Sequence, residues 1–273
     1  MKNLFSSDNE LRSLIPHILP TVEGEPSLLD TLAPYITTAE EWAEQYFVPA
    51  DLQLTADAYE CLQKVVAYQA FLTAIPSLDL ILTPNGFGIV NTPTIAPASR
   101  ERIERLQRSI ENLRDTSIEQ LLHRLASVEA WQQSVPGKYF ASTLFPNFHL
   151  CRRLNINDQL WQRFQSLHAR LIKIENVLAE TYFSHEQMAI FRHHALTQFK
   201  TATELEEQII KTLQSYELEL LSDIQVAPQC YYDLVTIIRD HKEVFPAWHA
   251  AKVATLYTPK LFENKKSSSG FWF

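Results

Sequence analysis

One six-residue segment occurs twice in this chain. Trp42-Ala43-Glu44-Gln45-Tyr46-Phe47 returns, little changed, as Leu178-Ala179-Glu180-Thr181-Tyr182-Phe183. Further matches keep the same order around it. Leu4-Phe5 with Arg12 and Leu14 is echoed by Leu144-Phe145 with Arg152 and Leu154, and Ala96-Pro97 by Ala227-Pro228. A chain that repeats itself at nearly constant spacing is constrained to fold as two copies of one unit. With 273 residues, each copy has enough chain for its own core.

The unit reads as helical. Glycine is scarce, at 5 residues, while Leu, Ala, Glu and Gln are plentiful. Ser27 is placed to cap a helix whose apolar positions run Leu28, Leu32, Tyr35, Ile36, Ala39, Trp42, Ala43 and Tyr46. That spacing draws one buried face, with Pro34 expected to kink its first turns. A second helix follows Thr55 and is expected to end at Pro76. A third, capped near Ser99, places Ile103, Leu106, Ile110, Leu113, Ile118, Leu121, Leu122 and Leu125 on one face. Arg100 to Arg114 supply charges for a solvated opposite face. In the second half, Leu160, Phe164, Leu167, Leu171, Ile174 and Leu178 step by threes and fours. Ser184-His185-Glu186-Gln187 has the form of a capping box. It would open a helix lined by Met188, Phe191, Ala195, Phe199, Ala202, Leu205, Ile209 and Leu213.

Two stretches break the helical pattern. Leu78 to Thr83 followed by Pro84-Asn85-Gly86-Phe87-Gly88 and Ile89-Val90-Asn91 reads as a β-hairpin. Asn-Gly supplies the positive φ angles that a tight turn requires. Glu217 to Leu220 alternates, and Ser222-Asp223 is placed to turn it back into Ile224-Gln225-Val226 as a second hairpin. The expected organisation is therefore mainly α: helical unit 1 over residues 1–133 with a hairpin near 78–91, and a linker at 134–146 marked by Pro136-Gly137. Helical unit 2 follows over 147–258 with a short hairpin near 216–226, then an extended tail over 259–273.

The tail differs from everything before it. Asn264-Lys265-Lys266-Ser267-Ser268-Ser269-Gly270 is a polar spacer leading into Phe271-Trp272-Phe273. Burying one aromatic side chain stabilises by roughly 1.5–3 kcal/mol, so three in a row favour a groove over water. The groove belongs either to the same chain or to a partner.

No constellation of residues points to catalysis. His185 and His193 lie too far apart on a helix to chelate one metal, and adjacent His193 and His194 point about 100° apart. The chain contains no His-Glu-x-x-His, Cys-x-x-Cys or Gly-x-Ser-x-Gly pattern, and Gly86-Phe87-Gly88 lacks the extension of a phosphate loop. His241 and His249 stand alone. Asp51, Glu60 and Asp79 have no pairing that suits general acid–base work. Cys61, Cys151 and Cys230 are far apart and read as reduced, buried thiols of a protein folded in a cytoplasm. Arg152 and Arg153 would lower the Cys151 pKa if it were exposed, but its apolar neighbours favour burial. No stretch approaches the ~18 apolar residues of a membrane span, and Met1 to Asp8 lacks the apolar core of a signal peptide. A formal charge of -8 argues against tight, sequence-independent binding to nucleic acid. No enzyme activity, metal or cofactor is expected.

The stretch Leu80-Ile81-Leu82-Thr83-Pro84-Asn85-Gly86-Phe87-Gly88-Ile89-Val90, followed by Ile95-Ala96-Pro97-Ala98-Ser99-Arg100-Glu101-Arg102, resembles a family of uncharacterised phage proteins. These belong to tailed phages and prophages of gut Bacteroidetes, among head and neck structural genes. The similarity runs mainly over residues 36–125, more loosely over the second half and the aromatic C-terminus. It implies a virion structural protein, most simply a head–tail connector, assembled in the host cytoplasm as a homo-oligomeric ring, a dodecamer among the candidate symmetries. The implied partners are the portal and other neck or tail proteins, with DNA passing through without sequence-specific binding and no membrane. The candidate contact residues are Phe271, Trp272 and Phe273 in the tail and Asn85, Gly86, Phe87 and Gly88 in the hairpin. Such adaptors carry a single, shorter unit, so the repeat departs from their pattern. A cytoplasmic helical binding module with a concave apolar groove is the alternative.

Overall fold

The protein is mainly α-helical. The structure, a computed structural model, describes residues 4–15, 27–78, 81–83, 86–88 and 99–258. The chain divides into two compact units, Met1–Leu167 and His168–Phe273. The first holds α1 (Asp8–Leu14), α2 (Leu28–Tyr46), α3 (Ala56–Leu78), strands β1 (Ile81–Thr83) and β2 (Gly86–Gly88), α4 (Arg100–Leu125), α5 (Glu129–Gln133), α6 (Val135–Phe140) and α7 (His149–Arg153). Helix α8 (Leu160–Leu178) begins in the first unit and runs, through a wide π-helical turn at Ala179–Phe183, into the second. There follow α9 (His185–Leu196), α10 (Glu204–Leu221), α11 (Pro228–Asp240), α12 (Pro246–Ala250) and α13 (Ala254–Tyr257).

In the first unit α3 is the central helix. Cys61, Leu62, Val65, Val66, Ala67, Ala70 and Ala74 are all buried, so it is covered on most sides, by α1, α2 and α4. Apolar residues on more than one face are what a buried helix requires. Its Pro76 lies inside the helix, which continues to Leu78 instead of ending there. The Ser27 hydroxyl caps α2 by accepting from the Asp30 amide at 3.0 Å, and Asp8 of α1 accepts from the Leu29 amide at 2.8 Å. Two orphan amides at one helix end are thereby satisfied. Leu4 is fixed between α2 and α3: its amide donates to Glu40 Oε1 at 3.2 Å, and its carbonyl accepts from Gln63 Nε2 at 2.8 Å.

Arg114 departs from the expected solvated face of α4. Its side chain is buried and donates to Asp115 Oδ1 at 2.9 and 2.7 Å and to Gln69 Oε1 at 3.0 Å. The other Asp115 oxygen accepts from the Leu160 amide at 3.0 Å, at the start of α8. A residue in the middle of one helix thus caps the N-terminus of another, where a negative charge is favoured. Burial pushes the Asp115 carboxyl up, and Arg114 with the α8 amides pulls it down.

Four expectations about boundaries need correction. The segment 134–146 is not a linker. Ser134 caps α6 through the Gly137 amide at 3.1 Å, and Phe140, Leu144 and Phe145 are fully buried in the first unit. Pro136 sits in the first turn of α6, where a missing amide costs nothing, so Pro-Gly here opens a helix. The hairpin expected near 216–226 is instead the end of α10. Leu213, Glu217, Leu218 and Leu221 are buried at helical spacing, and the turn follows at Asp223, whose φ is 60°. The single helix expected from Ser184 to Leu213 is two, parted where Gln198 and Phe199 adopt φ of 57° and 60°. Finally, the two strands pair antiparallel as Ile81 with Gly88, Leu82 with Phe87 and Thr83 with Gly86. The returning strand is therefore Gly86–Gly88, while residues 84, 85 and 89–91 lie outside the described residues.

Gly137 marks the closest approach in the first unit. A Cβ there would stand 1.9 Å from the Trp131 carbonyl oxygen and 2.7 Å from its carbon, both of them backbone atoms. Gly137→Ala should therefore lower stability by about 1–3 kcal/mol, the usual cost of overpacking, seen as a lower urea midpoint. An unchanged midpoint would contradict the packing of α5 on α6.

Candidate functional site

The repeated segment has a specific structural consequence. At the end of α2 the Ala43 carbonyl accepts from the Phe47 amide at 2.9 Å and also from the Val48 amide at 3.0 Å, a bond spanning five residues. After α8 the Ala179 carbonyl accepts from the Ser184 amide at 2.9 Å, across the same interval. Such wide turns release a carbonyl from the helical ladder, and they recur at functional positions in proteins. Beside each wide turn an indole takes one of the last carbonyls of the helix, which have no partner in the helical ladder. Trp131 Nε1 of α5 donates to the Phe47 carbonyl at 2.7 Å, and Trp248 Nε1 of α12 donates to the Tyr182 carbonyl at 2.8 Å. The two acceptors differ by one position in the aligned segments.

Aromatic rings surround both latches. In the first unit Phe140 of α6 stacks on Phe47 at 6.0 Å and on Trp131 at 6.2 Å between ring centres. In the second, Tyr257 of α13 lies 6.4 Å from both Trp248 and Tyr182, and its hydroxyl donates to the Thr181 carbonyl at 2.7 Å. The Gln187 side chain does not reach back to complete the box expected at Ser184. Its Oε1 accepts from the Trp248 amide at 3.3 Å, which ties α9 to the latch. The reciprocal capping box of this unit is Thr203 with Glu206.

Beside each latched turn is an open groove. The first, of about 790 Å³, is lined on one wall by Glu44 and Pro49 and on the other by Val128, Ser134 and Val135. The second, of about 400 Å³, is lined by Glu180 and His185 on one wall and by Lys252, Val253 and Leu256 on the other. Glu44 and Glu180 occupy the same position in the repeated segment. Each groove also has a large apolar side chain in water: Val135 is 82% exposed and Leu256 75%.

Of the residues singled out in the sequence, Gly86, Phe87 and Gly88 form β2. Asn85 and Phe271, Trp272 and Phe273 lie outside the described residues. His193 is exposed, whereas His194 is buried against Glu206 at 3.3 Å and Thr201 at 3.2 Å. Burial pushes the Cys151 thiol up to about 11. Among the described residues no group of three or more His, Cys, Asp or Glu gathers as metal ligands.

The second unit also holds a buried acidic pair that no motif in the chain foretells. Glu175 of α8 is fully buried and accepts from Arg192 Nε of α9 at 2.6 Å. Glu217 of α10 is equally buried, and both its oxygens lack a hydrogen-bond partner among the described residues. Burial first, and then the Glu175 carboxylate, pushes the Glu217 carboxyl well above the usual glutamate range, against the pull of Arg192. Nearby Tyr231 is pushed up to about 12, mainly by its own burial and secondarily by Glu217. Burial and the neighbouring carboxylate both favour the protonated form of Glu217.

Residues 20–141 match a family of unknown function, DUF6712, a span that falls inside the first unit. No curated protein and no solved structure gives a significant match to the chain.

Two measurements test this geometry. Trp131→Phe and Trp248→Phe each keep a ring in place but leave a carbonyl without its donor, and each should cost about 1–3 kcal/mol; no loss in chemical denaturation would contradict the latch. For Glu217 the sign follows from its raised pKa. The unfolded chain releases this proton as pH rises past the ordinary value of 4.5, while the folded chain retains it. Stability from the neutral form is complete below that value and is lost as pH rises toward the folded pKa. Glu217→Gln should flatten this decline, and an unchanged pH profile of thermal unfolding would count against a neutral Glu217.

Proposed function

We propose that this protein is a virion structural component, a head–tail connector of the neck of a tailed phage or prophage, acting by assembly and not by catalysis. On this reading the chain is two tandem copies of one helical unit, and its copies form a homo-oligomeric ring. The ring contacts the portal and neighbouring neck or tail proteins, and DNA passes through it without sequence-specific binding. The observation that carries the reading is the recurrence of an open groove beside the same latched helix end in both units. A subunit built for closed assembly needs paired, non-identical surfaces, because ring interfaces are heterologous. The Thr83-Pro84-Asn85-Gly86-Phe87-Gly88 motif and the Arg/Glu-rich helix after it add the likeness to phage neck proteins. The aromatic segment Phe271-Trp272-Phe273 supplies an apolar anchor of the kind that clips onto a neighbouring subunit.

The test uses the full chain, alone and mixed with the portal protein encoded in the same genome. Light scattering should give a multiple of the 31.5 kDa chain mass, and portal should co-elute. Deleting Gly270–Phe273 should leave the helical circular dichroism intact and abolish the joining. Normal joining by the truncated chain would remove the tail as the anchor. A full chain that stays monomeric with and without portal would overturn the connector reading in favour of a helical binding module.

A further inference from the structure

The structure leaves the larger groove open at the end of α2, and the sequence offers an occupant for it. We propose that residues 259–273 of one copy dock in the groove of the first unit of another copy, with Phe271-Trp272-Phe273 against Val135 and Val128 and Lys265-Lys266 facing Asp51. This rests on the assembly reading above and names the surface through which copies would join.

Three observations support the choice. The first is charge. Among the described residues the groove is lined by Glu44 and Asp51 and by no lysine or arginine. The segment 259–273 carries Lys260, Lys265 and Lys266 against a single Glu263. In a chain of net charge -8 a basic segment is the exception, and complementary charge directs it to one surface over others. The groove of the second unit suits it less, since Lys252 and His185 stand beside Glu180 and Glu186. The second observation is apolar surface. Val135 is 82% exposed at the start of α6, and Leu52 and Pro49 line the same groove. Its volume, about 790 Å³, lies in the range of pockets that enclose a ligand of several rings. The third is chain length. The chain leaves the described residues at Thr258, and the stretch from there to Phe271 reaches roughly 40 Å when extended, enough to cross to a neighbour. A contact from the second unit of one copy to the first unit of the next is heterologous, the type of interface from which rings are built when the rotation between copies closes.

The experiment uses full-length variants and reads self-association by light scattering across a concentration series. Val135→Asp alters only an exposed side chain, and its folding is checked by circular dichroism. It should weaken association at least tenfold, as should Trp272→Ala. Asp51→Lys should weaken it too, and Lys265→Glu with Lys266→Glu in the same chain should restore part of the loss. Mixing the Val135→Asp and Trp272→Ala chains gives a test specific to docking between copies. One supplies an intact tail and the other an intact groove, so a 1:1 complex should form where neither chain alone associates. Loss of association in Trp272→Ala with wild-type association in Val135→Asp and Asp51→Lys would overturn the groove assignment and leave the assembly reading standing. A wild-type chain that is monomeric throughout would overturn docking between copies, while the portal co-elution above would still decide the connector reading.

Discussion

Both units depend on what happens at the end of one long helix. The last carbonyls of a helix have no partner in its ladder, and one of them held in a core must find a donor. Trp131 and Trp248 are those donors, each fully buried and each carried by a five-residue helix that follows a loop. The indole contributes a polar handle and a large apolar body at once. Through the handle it sets where α5 or α12 must sit; through the ring it gathers Phe47 and Phe140, or Tyr182 and Tyr257. The grooves are a by-product of this arrangement. They are the space left beside a short helix that its tryptophan holds in place.

The two units solve their internal electrostatics differently. In the first, the buried Arg114–Asp115 pair is completed by Gln69 and the Leu160 amide, so each charge has several partners. A buried ion pair earns its place only when its remaining donors and acceptors are met in this way. In the second, Arg192 serves Glu175, while Glu217 has no hydrogen-bond partner among the described residues and its burial favours the protonated form. The two units thus carry different polar cores.

Much of the helical layout was legible in the residues. The spacing of Leu32, Ile36, Ala39 and Ala43 marks the buried face of α2, and Ser27 marks its start. The repeated segment pointed to the place where both helices end alike. Other features were hidden because they are tertiary. Arg114 reads as one more charge on a solvated face until Asp115 and Gln69 are brought to it. Pro136-Gly137 reads as a turn because nothing local says that the glycine is there for close approach to Trp131. Glu217-Leu218-Glu219-Leu220 alternates like a strand, yet burial of Glu217 with Leu213 and Leu221 follows helical spacing. The grooves could be found only after folding, although Ala130-Trp131 and Ala247-Trp248 are a faint second echo.

The most direct test of this account is hydrogen exchange at the indole nitrogens, followed by NMR on tryptophan-labelled protein. If wide helix ends are latched as described, the Trp131 and Trp248 indole protons should persist in deuterated water and exchange only when their units unfold. Exchange at either position as fast as a freely exposed indole would contradict the latch, and with it the origin of the grooves.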